Sequence, residues 1–173
     1  REPERRVAIA GPFAGAVSGI GQYDESVLEA IERRRLADPT TPAVEVFVDS
    51  SGTSAPTDVG ADRRPVRAIG RYAKPWDFDH LVAVLGSSPH HVATAELALA
   101  ESCHVWLHEA SLVGVHVGLA HASGSETWAR QHVVDRLAAD EPQSTIALIE
   151  PDEFLDAPRL DELGVTLLGE TLD

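Results

Sequence analysis

Residues 81–108, LVAVLGSSPHHVATAELALAESCHVWLH, decide the fold. They begin with an apolar run at 81–85, pass through a polar turn at 86–91 and a helical run, and finish with a second apolar run before His108. The pattern predicts a strand, a helix and a second strand, because strands buried in a parallel sheet are continuous apolar runs. Open sheets of this kind bind ligands at the carboxyl ends of their strands, so the polar residues after each run mark a predicted site.

The sequence on either side repeats this alternation. Short apolar runs at 7–10 and 44–49 predict the first two strands, and residues 65–69 predict a short third strand. Between the first two strands, a loop of small residues at 11–21 leads into a helix whose apolar residues recur at helical spacing from Tyr23 to Ile31. Strand, glycine-rich loop and helix form the opening of a nucleotide-binding fold.

The remaining segments complete an α/β pattern. The predictions are a surface loop at 50–64, helices at 112–120 and 127–139, a strand or a helix at 145–149, and short helical pieces at 154–155 and 160–163. Right-handed crossovers between buried strands imply helices on both sides of the sheet. We therefore expect one domain over 1–173, an α/β fold with a doubly wound, mostly parallel sheet and helices on both faces.

Charge and composition exclude several classes of function. The 173 residues include 28 acidic and 14 basic side chains, a net charge of −14, which argues against nucleic acid or anionic membranes as partners. No apolar run approaches the roughly 20 residues of a membrane helix, and no signal peptide is visible. Cys103 is the single cysteine, so no disulfide forms within the chain. A cytoplasmic protein without membrane association is the expectation.

The first glycine-rich loop is a candidate anion site. Its glycines let the backbone approach a ligand, and the amides that open the following helix can hold a phosphate. However, Gly15, Gly19 and Gly21 do not fit the G-x-G-x-x-G pattern, and the chain contains no G-x-x-x-x-G-K-[ST] motif. A strand-to-helix turn that only needs small residues remains the alternative.

The second loop, 86–91, adds two histidines to the same geometry. Ser88 is predicted to cap the helix, with Pro89 in the favoured first-turn position. His91 begins the helix beside the ligand edge and could donate to a sugar hydroxyl or a phosphate. The alternative is a structural histidine that is hydrogen-bonded at a helix start.

The third candidate is the pair His108 and Glu109 at the end of the next strand. Histidine titrates near neutral pH and can act as a base, a polarising group or a donor. A lone histidine at a strand end is more often a packed residue, but here three loops are expected to converge.

Metal and hydrolase chemistry are disfavoured by spacing. His104 and His108 lie roughly 13 Å apart along a strand, too far to share one zinc ion. His116 and His121 do not have the spacing of a zinc-protease motif. A triad of Ser111, His108 and Asp135 would lack the G-x-S-x-G elbow. We therefore predict no metal ligands.

Four segments together resemble a known family. SGIGQY at 18–23, VFVD at 46–49, LGSSPHH at 85–91 and WLHE at 106–109 look like the N-terminal half of family-four (group 1) glycosyltransferases, which have the GT-B fold. Order and spacing match up to about Glu109 and more loosely beyond it. Each motif alone is weak, whereas the set is fairly specific.

The resemblance implies a retaining enzyme in which two Rossmann-like domains close on a nucleotide-sugar donor. The N-terminal domain of such enzymes mostly binds the acceptor, a carbohydrate or a small molecule with a hydroxyl group. His108 would then be the catalytic-site histidine that contacts the donor sugar near the reacting carbon. The implied binding residues are Ser18 and Gly19 at the diphosphate, Gly86, Ser88 and His91 along the cleft, and Glu109 beside His108 at the turn.

Two departures from the family pattern matter. Ser87 stands where the family usually has asparagine, and the second domain with its paired glutamates has no counterpart in this chain. The chain alone is therefore expected to be inactive, with its own C-terminal domain as a partner, a nucleotide-diphosphate sugar as substrate and no bound cofactor. The alternative is a non-catalytic Rossmann-like module that binds a nucleotide or carbohydrate or mediates oligomerisation.

Overall fold

The computed structural model describes residues 5–13, 19–48, 66–69 and 77–167, without the side chains of 19–22 and 66–68. The strands are β1 (Arg6–Ala10), β2 (Ala43–Val48), β3 (Val66–Ala68), β4 (His80–Leu85) and β5 (His104–Leu107). The helices are α1 (Gly19–Ala37), α2 (Val92–Ala100), α3 (Val113–Ala122), α4 (Glu126–Asp140), α5 (Gln143–Ile146) and α6 (Ala157–Glu162). A 3-10 turn at Pro89–His91 precedes α2.

The strands form one sheet in the order β3-β2-β1-β4-β5. β1 pairs in parallel with both β2 and β4, so that Ile9 lies opposite Val46 on one side and Val82 on the other. β2 also pairs in parallel with β3. The reversal of strand order beside β1 is the doubly wound pattern, and it confirms the predicted α/β, Rossmann-like class.

Alternating residues of β1 face opposite sides of the sheet. Ile9 belongs to a buried cluster with Leu28 of α1, whereas Ala8 and Ala10 belong to another cluster, against which Leu97 of α2 packs. Side chains alternate in this way because successive residues of a strand point to opposite faces. Helices therefore cover both faces, as expected.

The described residues group into two compact units. The first unit lies within Arg1–Val84 and Ala93–Trp106, and the second within Leu85–Val92 and Leu107–Asp173. The core of the second unit includes Val133 and Leu137 of α4, both with 0% of their surface exposed. Val113 of α3 and Leu160 of α6 belong to the same buried cluster. The i, i+4 spacing of Val133 and Leu137 places them on one side of α4, as the apolar pattern predicts.

Several boundaries and segments differ from the sequence prediction. α1 begins at Gly19, although the loop was expected to extend to residue 21; glycine is a poor helix former, but its cost at the first turn is small because the chain has few intrahelical bonds there. The segment predicted as a helical piece at 154–155 forms a turn. Of the ambiguous segment at 145–149, residues 145–146 end α5 and residues 147–149 form a turn and a bend. The predicted loop at 50–64 lies outside the described residues. None of the helices in the described part of the chain combines the length and apolar character needed to span a membrane.

Candidate functional site

The loops that follow β4 and β5 meet at the carboxyl ends of these strands. The His108 amide donates to the Leu85 carbonyl oxygen at 2.9 Å, which extends the pairing of the two chain segments by one residue. The Ser87 amide donates to Oε2 of Glu109 at 3.0 Å. Three of the predicted site residues, Gly86, His108 and Glu109, are thereby brought into one place.

Ser88 has the predicted capping role. Its backbone is extended, and its hydroxyl oxygen accepts a hydrogen bond from the His90 amide at 3.1 Å. The Ser88 carbonyl oxygen accepts a second bond from the His91 amide at 3.0 Å. Pro89 opens the turn, where its missing N–H leaves no intrahelical bond unmade. The cap fixes the direction in which the chain enters α2.

The two site histidines are both turned towards the protein. His91 has 1% of its surface exposed, so its imidazole is part of the packed interior and not of an open surface. His108 is half-buried, and its Nε2 atom is buried. His90, between the cap and His91, is exposed. A ligand at this edge therefore reaches His90 and the backbone more readily than His91.

Two glycines of α3 hold this loop in position, and neither is among the site residues predicted from the sequence. A Cβ atom at Gly114 would lie 1.7 Å from the Ser87 carbonyl oxygen, and one at Gly118 would lie 2.7 Å from Cγ2 of Val92. The i, i+4 spacing puts both glycines on one side of α3, where it packs against residues 87–92. Two glycines four residues apart in a predicted helix were the sequence signal that could have indicated this close packing.

The loop amides are already largely occupied by groups of the protein. Ser87 N–H bonds to a carboxylate, and the amides of His90 and His91 bond to Ser88. An anion such as phosphate would meet the negative charge of Glu109 and would have to displace it from the Ser87 amide. A neutral ligand with hydroxyl groups meets no charge repulsion, and it can donate to the remaining lone pairs of the Glu109 carboxylate while the bond from the Ser87 amide stays in place.

The first loop is only partly described. Ser18 lies outside the described residues, and Gly19 is the first residue of α1. The amides at that helix start point along the helix axis, as anion binding there would need.

Ser111 and Asp135, two members of the triad considered above, form hydrogen bonds with residues outside that triad. The Ser111 hydroxyl donates to Oδ1 of Asp161 at 2.8 Å. Asp135 accepts a bond from the side-chain amide of Gln131 at 2.7 Å. A hydroxyl has a single proton, and the Ser111 hydroxyl donates it in a hydrogen bond to the carboxylate of Asp161 and not to an imidazole.

A second buried histidine lies elsewhere in the same unit. His116 of α3 has 4% of its surface exposed, and its Nδ1 lies 3.2 Å from Nε2 of His132 on α4. The His132 ring in turn stacks on Trp128 at a centroid distance of 4.9 Å. Burial, reinforced by the charges of His132 and Arg136, lowers the pKa of His116 to about 4. His116 is therefore a neutral residue of the packed interior near neutral pH.

Compared with protein-family models, curated proteins and solved structures, the chain matches none of them.

Proposed function

We propose that this chain is the N-terminal, acceptor-side half of a retaining glycosyltransferase that moves a sugar from a nucleotide-sugar donor to an acceptor hydroxyl. The observation that carries the proposal is the bond from the Ser87 amide to the Glu109 carboxylate, which joins the loops after β4 and β5. These loops follow neighbouring strands of a doubly wound sheet, the edge at which such sheets bind ligands.

The occupied amides support a sugar, and not a phosphate, as the ligand of these two loops. The Glu109 carboxylate repels an anion at short range, and the net charge of −14 adds to this repulsion. Sugar hydroxyls suit the mixture of carboxylate oxygen, backbone groups and imidazole at the strand ends. In the proposed enzyme, the diphosphate is held by the amides at Ser18 and Gly19 and by the second domain.

The proposed roles of the site residues follow from their bonds. His108 contacts the donor sugar, after a ring rotation that turns Nε2 out of the interior. Glu109 and Ser88 shape the loop, because their side-chain oxygens bind backbone amides. Gly86 and His91 are buried, so their proposed role is to pack beneath the cleft and stabilise it and not to contact the ligand. Oriented dipoles and cations that stabilise the leaving diphosphate supply more of the rate than acid–base chemistry does.

One observation favours the alternative, a non-catalytic module that binds a nucleotide or carbohydrate. The buried Nε2 of His108 and the buried ring of His91 suit histidines that support the fold. In such a module, the loop would bind a sugar through Glu109 and the backbone, and the His108 imidazole would not be needed for turnover.

The test uses the parent protein with its second domain, in three variants. Release of free nucleotide is measured over a panel of nucleotide sugars for wild type, His108→Ala, Glu109→Gln and the control His121→Ala. His121 is an exposed histidine in α3 outside the proposed site. We expect one donor to be turned over, at least tenfold more slowly by His108→Ala and at the wild-type rate by His121→Ala. Glu109→Gln should retain most of the activity, because the glutamine oxygen still accepts from the Ser87 amide.

Three results would contradict the proposal in different ways. No turnover of any donor, together with measurable sugar binding, would favour the binding module. Wild-type activity in His108→Ala would remove that residue from the reacting centre. Equal losses in His108→Ala and His121→Ala would indicate a general effect on folding.

A further inference from the structure

Two exposed histidines meet at the amino-terminal ends of β4 and β5. His80 is the first residue of β4 and His104 the first residue of β5, and both side chains are exposed. Nδ1 of His80 lies 3.1 Å from Nε2 of His104, and the ring centroids are 5.2 Å apart. The histidines are 24 positions apart in the chain, so only the adjacency of β4 and β5 brings them together.

The separation of the two nitrogens matches that of two ligands on one metal ion. With Zn–N bonds of about 2.05 Å, two ligand nitrogens lie about 2.9 Å apart at an angle of about 90° and about 3.4 Å apart at a tetrahedral angle. The observed 3.1 Å falls between these values, and it is also the length of the hydrogen bond that joins the two rings in the metal-free chain. A bound metal ion would replace the shared proton, and the exposed rings, inclined at 50°, would rotate about their side-chain bonds to direct both lone pairs at the ion.

We propose that His80 and His104 form a two-histidine site for a divalent transition metal, Zn²⁺, Ni²⁺ or Cu²⁺. Neutral imidazole nitrogens are preferred ligands of these ions, whereas Mg²⁺ and Ca²⁺ prefer oxygen. A pocket of about 200 Å³ opens beside the two rings and has room for the water molecules that complete the coordination. The site is separate from the proposed sugar site and does not depend on the proposed function.

Two other polar groups that line this pocket contact groups of the protein. Oδ2 of Asp79 accepts a bond from the Arg6 amide at 2.7 Å, and Sγ of Cys103 lies 3.9 Å from the Ala98 carbonyl oxygen. Among the described residues, no group of three or more histidine, cysteine, aspartate or glutamate side chains could hold a metal ion. The site therefore has two protein ligands.

Calorimetric titration with Zn²⁺ and Ni²⁺ tests the proposal on the chain itself. We expect one site per chain, no binding of Mg²⁺, and at least tenfold weaker binding in His80→Gln and in His104→Gln. The matched control His121→Gln removes an exposed histidine from α3, and Cys103→Ser removes the thiol; both should bind like wild type.

The nitrogen spectra of the histidine rings provide a test on the wild-type chain that needs no variant. Zn²⁺ should shift the Nδ1 signal of His80 and the Nε2 signal of His104, the two nitrogens that face each other. Shifts confined to His116 and His132 would assign the metal to the other histidine pair and overturn the proposal. Loss of binding in Cys103→Ser, or unchanged binding in His80→Gln and His104→Gln, would also overturn it.

Discussion

Replacing Gly114 by alanine tests whether the close approach of α3 to the loop after β4 holds that loop in position. The added Cβ would lie 1.7 Å from the Ser87 carbonyl oxygen, about 1.6 Å closer than an ordinary carbon–oxygen contact of about 3.3 Å. The contacted atom belongs to the backbone, so no side-chain rotation relieves the overlap. Either α3 or residues 86–88 must move.

The magnitude follows from two opposing effects. Overpacking of an interior typically costs about 1–3 kcal/mol and occasionally more, and this overlap is large. Alanine is a better helix former than glycine, but Gly114 lies in the first turn of α3, so the gain in return is less than the roughly 1 kcal/mol of a helix interior. We expect a net loss of about 2 kcal/mol in the free energy of unfolding, which for a chain of this length is a fall in Tm of roughly 4–8 °C.

Gly118→Ala is the matched control on the same helix. Its Cβ would meet Cγ2 of Val92 at 2.7 Å and a Pro89 carbon only at 3.6 Å, and a valine methyl group can move where a carbonyl oxygen cannot. The helix gain then offsets most of the cost, so we expect this variant to stay within about 1 kcal/mol of wild type.

Urea unfolding followed by circular dichroism measures both variants, and amide hydrogen exchange reports on the loop. In Gly114→Ala, the Ser87 amide should exchange faster, because displacement of the loop weakens its bond to Glu109. A Gly114→Ala variant as stable as Gly118→Ala, with unchanged exchange at Ser87, would refute the argument.

Two further predictions concern the pH dependence of stability and the helix cap. Because the pKa of His116 is lowered to about 4, the unfolded chain binds a proton between pH 6.5 and 4 that the folded chain does not, so stability should fall by about 3 kcal/mol as the pH falls through this range. Chemical unfolding at several pH values checks this, and a His116→Gln variant with the same pH slope as wild type would contradict it. Ser88→Ala should lose about 1 kcal/mol, because the His90 amide loses its acceptor. Ser88→Thr should recover most of that loss in the same urea assay, and equal stability of the two variants would argue against the cap.

The sheet could be predicted because its strands are short, mostly apolar segments separated by turn residues. The predicted strands at 81–85 and 7–10 are each one residue shorter than the observed β4 and β1. A difference of one residue is the usual uncertainty at the end of a helix or strand. The segment at 145–149 was ambiguous for a physical reason. A short segment with four apolar residues, 146–149, fits one face of a helix and one strand equally well, and Ile146 and Ile149 both pack in the second unit's core.

The pairings between distant residues could not be predicted. His80 and His104 meet only because β4 and β5 are neighbours, and His116 meets His132 only because α3 packs against α4. Spacing along the chain compares only histidines that are close in sequence, such as His104 and His108. Partners that only the strand order brings together cannot be recognised from that spacing.

The loops after β4 and β5 illustrate how a residue's type and its role can differ. The family resemblance implied that Ser88, His91 and Glu109 contact a ligand, whereas the residue pattern by itself predicted Ser88 as a helix cap. In the folded chain, Ser88 and Glu109 direct side-chain oxygens at backbone amides, and His91 is enclosed. These hydrogen bonds therefore stabilise the conformation of the loop, and a ligand would bind to the loop in that conformation. Substitutions at Ser88 and Glu109 should therefore change stability and ligand binding together, whereas a residue that only contacts the ligand would change binding alone.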